Sequence, residues 1–410
     1  MARTRIISQS KALFVSPTGL KPSWYGGVDT GGSGLVPVQL NRIDKFSFDT
    51  DLAGGRQDVR EFGQLARLGV IRLSELSPKL SFGYYLTDGG NEHQLGLSVK
   101  GMLNSGASVG LISGILAEDI KKREKNMYLL TVEEGADAAS STPYTTIQRG
   151  NHTVVGFGNA TLSSYGINLA VGDIPRADVE MDCANIVFYT GMSSGLACSN
   201  PSVNRANLTV VDSGVFVLPN ATSGVSQVDV LKPGSVQVTF SNNSAGFGGA
   251  LFSGIHLQSA KIDIPLSRQT IEKLGSLQPF AKPLETPINV TCALNGIVND
   301  FGAGALSAIL TGCSSQDTNI IITVADRCNA STTNLQYLFK NAVLDSQNFS
   351  IGLDDNESVD LTFSAQLGGG SSTGAGVYMS GAFSGINVGG SLNTFVSGYD
   401  NEKPNWMKLV

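Results

Sequence analysis

Charge is the scarcest ingredient of this sequence. Asp, Glu, Lys and Arg together fill only 15% of its 410 positions, where about 25% is ordinary. A surface so short of charge associates readily at high concentration, so an obligate oligomer is expected. Positive charge is the scarcer sign: 28 Lys and Arg against 34 Asp and Glu leave a formal net charge of −6. No general field therefore draws nucleic acid towards the chain. No run of 18 apolar residues occurs, which excludes a hydrophobic membrane-spanning helix. Near the amino end only Ala12-Leu13-Phe14-Val15 is apolar, too short for a secretory core, so no membrane partner is expected. Five cysteines, at 183, 198, 292, 313 and 328, are odd in number and lack C-x-x-C spacing. That argues against a disulfide framework and against structural zinc, and points to a reducing compartment. His93, His152 and His256 are scattered without metal-ligand spacing, and no cofactor is expected.

What the sequence does have is an echo of itself. Val38-Gln39-Leu40-Asn41 and Lys45-Phe46-Ser47-Phe48 answer Ile255-His256-Leu257-Gln258 and Lys261-Ile262-Asp263-Ile264, at spacings of 217 and 216. Gly110-Leu111-Ile112-Ser113 matches Gly304-Ala305-Leu306-Ser307 at 194. Asn159-Ala160-Thr161-Leu162 matches Asn341-Ala342-Val343-Leu344 at 182, and Val179-Glu180-Met181 matches Val359-Asp360-Leu361 at 180. A spacing that falls steadily is expected of two copies of one fold whose second copy has shorter loops; chance matches would scatter. The division expected is an arm or loop over 1–34, a first copy over 35–190, connecting strands and loops over 191–249, a second copy over 250–367, and a Gly/Ser-rich arm over 368–410. The connecting strands are expected to complete sheets of the second copy, and the final arm to order only on assembly.

Within each copy the hydrophobic period is mostly two. Phe46-Ser47-Phe48-Asp49-Thr50-Asp51 and Asp178-Val179-Glu180-Met181-Asp182-Cys183 alternate as strands with one buried and one wet face. Residues 105–122 instead place Leu111, Ile112, Ile115 and Leu116 at helical spacing. The fold class expected is mainly β within α+β: two antiparallel sandwiches or half-open barrels, each flanked by one short α-helix.

Catalytic patterns are weak. Gly191-Met192-Ser193-Ser194-Gly195 spells G-x-S-x-G, but loop-forming residues follow where a nucleophile elbow needs a helix. The clusters Gly31-Gly32-Ser33-Gly34 and Gly368-Gly369-Gly370 lack a phosphate-binding framework. Lys121-Lys122-Arg123-Glu124-Lys125 is read as a solvated helix end. The frequent Asn-x-Ser/Thr triplets, Asn159 among them, are read as a by-product of composition. No enzymatic activity is expected. The periodic feature that stands out is acidic: Asp49 and Asp51 share a strand face, Asp178, Glu180 and Asp182 share another, and Asp263 and Asp360 take matched places. Such ladders form either a plain solvent face or a wall that repels a polyanion.

Leu68-Gly69, then Ser77-Pro78-Lys79-Leu80-Ser81-Phe82-Gly83-Tyr84-Tyr85-Leu86-Thr87-Asp88-Gly89, Leu111-Ile112-Ser113-Gly114-Ile115, Lys125-Asn126-Met127-Tyr128-Leu129-Leu130-Thr131 and Gly172-Asp173-Ile174-Pro175 follow one another in order. In these strand patterns the chain resembles the major tail tube proteins of long-tailed bacteriophages. The resemblance implies a structural virion protein of the tail, assembled in the host cytoplasm, whose rings stack into a conduit for DNA during genome ejection. With a duplicated chain it implies trimeric, pseudo-hexameric rings. It further implies self-association, a tape measure protein and tail-tip or terminator proteins as partners, and DNA that passes without specific binding. Asp49, Asp51, Asp178, Glu180, Asp182, Asp263 and Asp360 would then line the lumen. The alternative is another non-enzymatic shell component: a capsid, baseplate or surface-layer protein.

Overall fold

A computed structural model of the chain describes residues 6–17, 37–50, 56–73, 77–101, 110–116, 124–133, 137–139, 152–189, 196–203, 215–222, 229–231, 236–241, 255–272, 274, 279, 281–298, 318–326, 329–350, 357–367 and 376–382. The strands of the first half are β1 (Ile6–Pro17), β2 (Val38–Gln39), β3 (Ile43–Thr50), β4 (Arg56–Val59), β5 (Gly69–Arg72), β6 (Pro78–Tyr85), β7 (Val99–Gly101), β8 (Lys125–Glu133), β9 (His152–Ala170), β10 (Arg176–Asp182) and β11 (Asn185–Tyr189). Two short helices, α1 (Gly90–Gln94) and α2 (Ser113–Leu116), lie between β6 and β8. The remaining strands are β12 (Ala197–Ser199), β13 (Val215–Val217), β14 (Val236–Ser241), β15 (Ile255–Pro265), β16 (Asn289–Val298), β17 (Thr318–Asp326), β18 (Asn329–Ser350), β19 (Ser358–Gln366) and β20 (Gly376–Gly381). The fold is mainly β, built on large antiparallel sheets with short helices.

Eight strands run in one antiparallel array, in the order β18-β19-β16-β15-β9-β10-β6-β3. Their inward residues alternate with outward ones. On β10, Ala177, Val179 and Met181 are buried, while Glu180 between them is exposed. On β19, Val359, Leu361, Phe363 and Ala365 are buried in the same alternation. These side chains meet a second layer across one continuous core, in which Phe82 and Phe157 of the first half join Tyr337 and Phe339 of the second.

The second layer is built from the leading parts of β9 and β18. The first half of β9 pairs with β8 and β11, and its second half pairs with β10 and β15. Likewise β18 pairs first with β17 and β20 and then with β19. Each of these long strands changes layer at a bulge, where an extra residue bends a strand and frees it from one ladder. The residue at each bend is an asparagine with left-handed backbone, Asn159 (φ 50) and Asn341 (φ 56). Asparagine reaches that region at less cost than most side chains. Its backbone N–H donates to a buried asparagine on the neighbouring strand: Asn159 to Oδ1 of Asn126 at 3.2 Å, Asn341 to Oδ1 of Asn319 at 3.1 Å.

The likeness of the two halves extends to every major pairing. β3-β6-β10-β9-β8 in the first half corresponds to β15-β16-β19-β18-β17 in the second, with β1 and β14 on the far side of β8 and β17. β14 comes from the segment between the expected copies and pairs with β17. The bulges also fix residue correspondences. Ile43/Lys45 on β3 answers Leu257/Ser259 on β15, a spacing of 214. The β9 bulge against β10 answers the β18 bulge against β19 at a spacing of 182, which sets Asp178 opposite Asp360 in the comparison. The sequence comparison gave 216 and 180 here, two residues out in each strand. A two-residue slip keeps every side chain on its own face, so hydrophobic pattern alone does not detect it.

Three sequence expectations differ from the structure. The first 34 residues were expected to be an arm, yet Ile6–Pro17 is a strand paired with β8, and Ala12, Leu13, Phe14 and Val15 are all buried. Both faces of this strand are covered. Leu13 and Val15 enter the main core, while Ala12 and Phe14 enter a second cluster with Tyr128, Leu130, Leu196 and Leu218. A strand buried on both sides shows a continuous apolar run instead of alternation. The final arm also differs, because Gly376–Gly381 is a buried strand paired with β18 and, in parallel, with β7. Of the helix expected over 105–122, Ser113–Leu116 is a helical turn, and residues 105–109 and 117–122 lie outside the described residues. Lys125 and Glu124 do not cap a helix in solvent; both are buried, and Lys125 opens β8. Asp51, the G-x-S-x-G segment, both glycine clusters, Lys121-Lys122-Arg123 and the matched segment Gly304-Ala305-Leu306-Ser307 lie outside the described residues.

Candidate functional site: a polar sheet face and a buried carboxyl cluster

Register places the acidic residues together. Asp178 stands opposite Gly83 of β6 and Gly166 of β9, and Gly166 in turn stands opposite Asp263 of β15. Asp49 of β3 faces Lys79 of β6, and Lys79 faces Asp182 of β10. Glu180 lies between Ser81 and Ser164. Asp360 of β19 lies between Asn295 and Asn348 and accepts from Asn295 Nδ2 at 2.6 Å. Directly paired residues share a face. Asp49, Asp178, Glu180, Asp182, Asp263 and Asp360 therefore all sit on the outward face of the eight-stranded array, away from the core.

That face is mixed, which strand pattern alone did not reveal. The same register puts Lys45, Lys79, Arg176 and Lys261 among the carboxylates. Lys45 reaches two strands across to Asp178 at 2.6 Å. Gly83 lies between them, and a Cβ there would stand 2.5 Å from the Lys45 stem, so the absent side chain opens the path. Both partners of this pair are about half exposed, so its worth to stability is small, on the order of 0–1 kcal/mol. Carboxylates remain the majority on the face, with Ser47, Ser81, Ser164, Thr291, Thr362 and Ser346 filling the positions between.

A second polar group lies within the core. Glu92 of α1 is buried, and its Oε1 accepts from Tyr84 OH at 2.9 Å and Tyr165 OH at 3.0 Å. Tyr165 OH is 3.1 Å from Tyr337 OH. Because Tyr165 gives its proton to Glu92, Tyr337 donates to Tyr165. The cluster thereby ties β6, β9 and α1 of the first half to β18 of the second. Among the described residues, Oε2 of Glu92 has no hydrogen-bond partner. Burial pushes the Glu92 carboxyl above its ordinary value, and the two tyrosine hydrogen bonds only partly oppose this. The same burial, with the Glu92 charge adding to it, raises all three phenols.

The sign of the Glu92 shift gives a pH test. A carboxyl that holds its proton more tightly when folded makes the folded state bind more protons than the unfolded one, so stability falls as pH rises above about 4.5, the ordinary glutamate value. Urea midpoints measured from pH 4.5 upward should decline in the native chain, and Glu92→Gln should flatten that component. Equal slopes in the two proteins would exclude Glu92 as its source.

His93 belongs to α1, His152 opens β9, and His256 is an exposed residue of β15. Cys183, Cys198 and Cys292 are buried, and burial pushes the Cys292 thiol up to about 12. No group of three or more His, Cys, Asp or Glu side chains suited to a metal ion occurs among the described residues.

The sequence reading missed both asparagine pairs and the Glu92 cluster. Asn159 and Asn341 were aligned with each other, and their recurrence at the same place was the available signal. Glu92 gave none, since it lies in a polar stretch between a strand and a loop.

No protein-family model matches the sequence, and neither does any curated protein. Among solved structures, the chain is similar to a component of the anti-feeding prophage baseplate, with 15% identity and a TM-score of 0.27 over 40% of this chain and 98% of the other. It is also similar to a component of the anti-feeding prophage cap, which terminates that particle's tube, with 12% identity and a TM-score of 0.25 over 39% of this chain and 100% of the other.

Proposed function

We propose that this chain is a non-enzymatic structural subunit of a phage-tail type tube, and that its halves are two copies of one ring-forming unit. The observation that carries the reading is the eight-stranded array: one face in the core, the opposite face wet and mostly acidic, and no described strand on the outer side of β3 or of the 343–350 part of β18. Open edges invite pairing with another chain. Matched bulges, matched left-handed asparagines and matched strand order support the duplication.

Barrel geometry supports three chains in the proposed ring. Eight strands closed on themselves leave an interior that side chains fill, so one chain cannot enclose a duplex. Three such arrays give 24 strands. At a spacing of about 4.8 Å and a tilt of about 40°, they close at a backbone diameter of roughly 48 Å. The wet face then lines the channel, where weak repulsion of phosphate leaves DNA free to slide. A virion-tail location, self-stacking, and contacts with a tape measure protein and with tail-tip or terminator proteins belong to this proposal. So does passage of DNA without specific binding.

Electron microscopy of the purified chain at high concentration tests it. The expected images are stacked rings with an open centre, with three complete chains in each averaged ring. Closed single particles without an axial channel would overturn the tube, and six complete chains per ring would overturn the three-chain closure.

A further inference from the structure

The chain contains a template for its own contact with the next copy. Where the two halves meet, β15 lies antiparallel to the second part of β9, pairing Lys261 with Asn168, Ile262 with Ile167, Asp263 with Gly166 and Ile264 with Tyr165. The bulge correspondences relate β15 to β3 at a spacing of 214, and β9 to β18 at 182. Applied to the junction, they bring β3 of one molecule against Gln347–Ser350 on β18 of another. Resting on the proposed tube reading, we infer that the chain-to-chain seam is this antiparallel pairing, with Ser47 opposite Ser350, Phe48 opposite Phe349, Asp49 opposite Asn348 and Thr50 opposite Gln347.

Three features of the two edges fit this seam. Both belong to the eight-stranded array, and no described strand pairs with the outer side of β3 or of the 343–350 part of β18. The faces agree: Ser47 and Asp49 share the wet face with Asn348 and Ser350, while Phe48 and Phe349 point with the core side. Phe48 is 41% exposed although it lies on the core side and touches Phe157 ring to ring at 5.4 Å. Facing Phe349, it gains an aromatic cross-strand neighbour of the kind that stabilises antiparallel pairs. Each chain carries one edge of each type. The contact is head-to-tail, and it closes into a ring when the rotation permits.

Cysteine pairs read the register directly. Opposed residues in antiparallel strands have Cα atoms about 4.5–5.5 Å apart, within the range a disulfide spans, whereas diagonal neighbours two residues along are about 7–8 Å apart. The double variant Ser47→Cys with Ser350→Cys replaces small exposed residues. After mild oxidation of the assembled protein it should give a non-reducing ladder of cross-linked chains that ends at three. Each single variant should give none, which also accounts for the native cysteines, and Ser47→Cys with Asn348→Cys should cross-link at least fivefold less. Should the Ser47/Ser350 pair perturb assembly, Phe48→Cys with Phe349→Cys tests the same register on the other face. Tubes that show no cross-link above the single variants, or a stronger one from the displaced pair, overturn the register and leave the tube standing. Cross-linked chains that form no tube uphold the seam and overturn the tube reading.

Discussion

Asn126→Leu is expected to lower the stability of the fold by roughly 2–6 kcal/mol, because it removes the centre of a buried polar network. Asn126 is fully buried; its Oδ1 accepts from Asn159 N–H and from Ser202 Oγ at 2.7 Å, and its Nδ2 donates to Asn200 Oδ1 at 2.8 Å. Leucine leaves the Asn159 N–H and the Ser202 hydroxyl without this acceptor, at a desolvation cost of about 1–3 kcal/mol each, while Asn200 Oδ1 keeps the Ser202 N–H at 3.0 Å. The network reaches further, since Asn159 also donates to Glu124 at 2.8 Å and accepts from Val203 N–H at 2.8 Å. Against a total stability of about 5–15 kcal/mol the loss is large.

The other half supplies the control. Asn319 holds the equivalent bulge through its bond to Asn341 N–H. Asn319→Leu should cost about 1–2 kcal/mol, a fraction of the Asn126 effect. Urea midpoints of the two variants measure the difference. Equal losses would mean that the shared bulge bond, and not the wider network around Asn126, sets the energy.

The strands with one wet face were legible in the sequence because alternation is a local property. Val179 and Met181 on β10, and Val359 and Leu361 on β19, announce their buried face residue by residue. Elements without that signal were not legible. Ala12–Val15 is apolar throughout because two cores flank it, and four such residues resemble a loop's hydrophobic patch as much as a strand. Gly376–Gly381 sets Val377, Tyr378 and Met379 between Gly and Ser in a Gly/Ser-rich stretch, and its pairing with β18 and β7 makes it a core strand.

The polar face shows the same boundary between local and distant information. That Asp178, Glu180 and Asp182 share a face follows from their spacing alone. That Lys45 reaches Asp178 over Gly83, and that Lys79 separates Asp49 from Asp182, depends on register between strands about 35 or 100 residues apart in the chain. A reading of single strands therefore returned the carboxylates and omitted the cations between them. The two-residue error in aligning the halves has the same origin: the period of two fixes the face, and the bulges fix the register.

The mixed character of the face sharpens the expected result of reversing its charge. Glu180 is exposed, Asp263 of β15, two strands from β10, is exposed, and Asp178 already shares its charge with Lys45. Lysine at 178, 180 and 182 removes three carboxylates from each chain and adds three cations beside Lys45, Lys79 and Arg176, which turns the face from mostly acidic to strongly basic. Around a closed channel every subunit contributes that change. Cations that neutralise phosphates release condensed counterions, and affinity for duplex DNA then falls steeply with salt, by a slope of about −0.9 for each phosphate contacted. The acidic face acts only at short range, about 8–10 Å at 0.1–0.15 M salt, and repels weakly. Tubes of the native chain should accordingly retain no duplex DNA. The Asp178→Lys, Glu180→Lys, Asp182→Lys variant should assemble and retain DNA at 50 mM salt, then release most of it by 200 mM. Filter retention across that salt range measures the effect, with electron microscopy confirming that tubes are present. Assembled variant tubes that retain no more DNA than the native ones would place these residues on the outside of the particle, and would remove the channel from the proposed role of this sheet face.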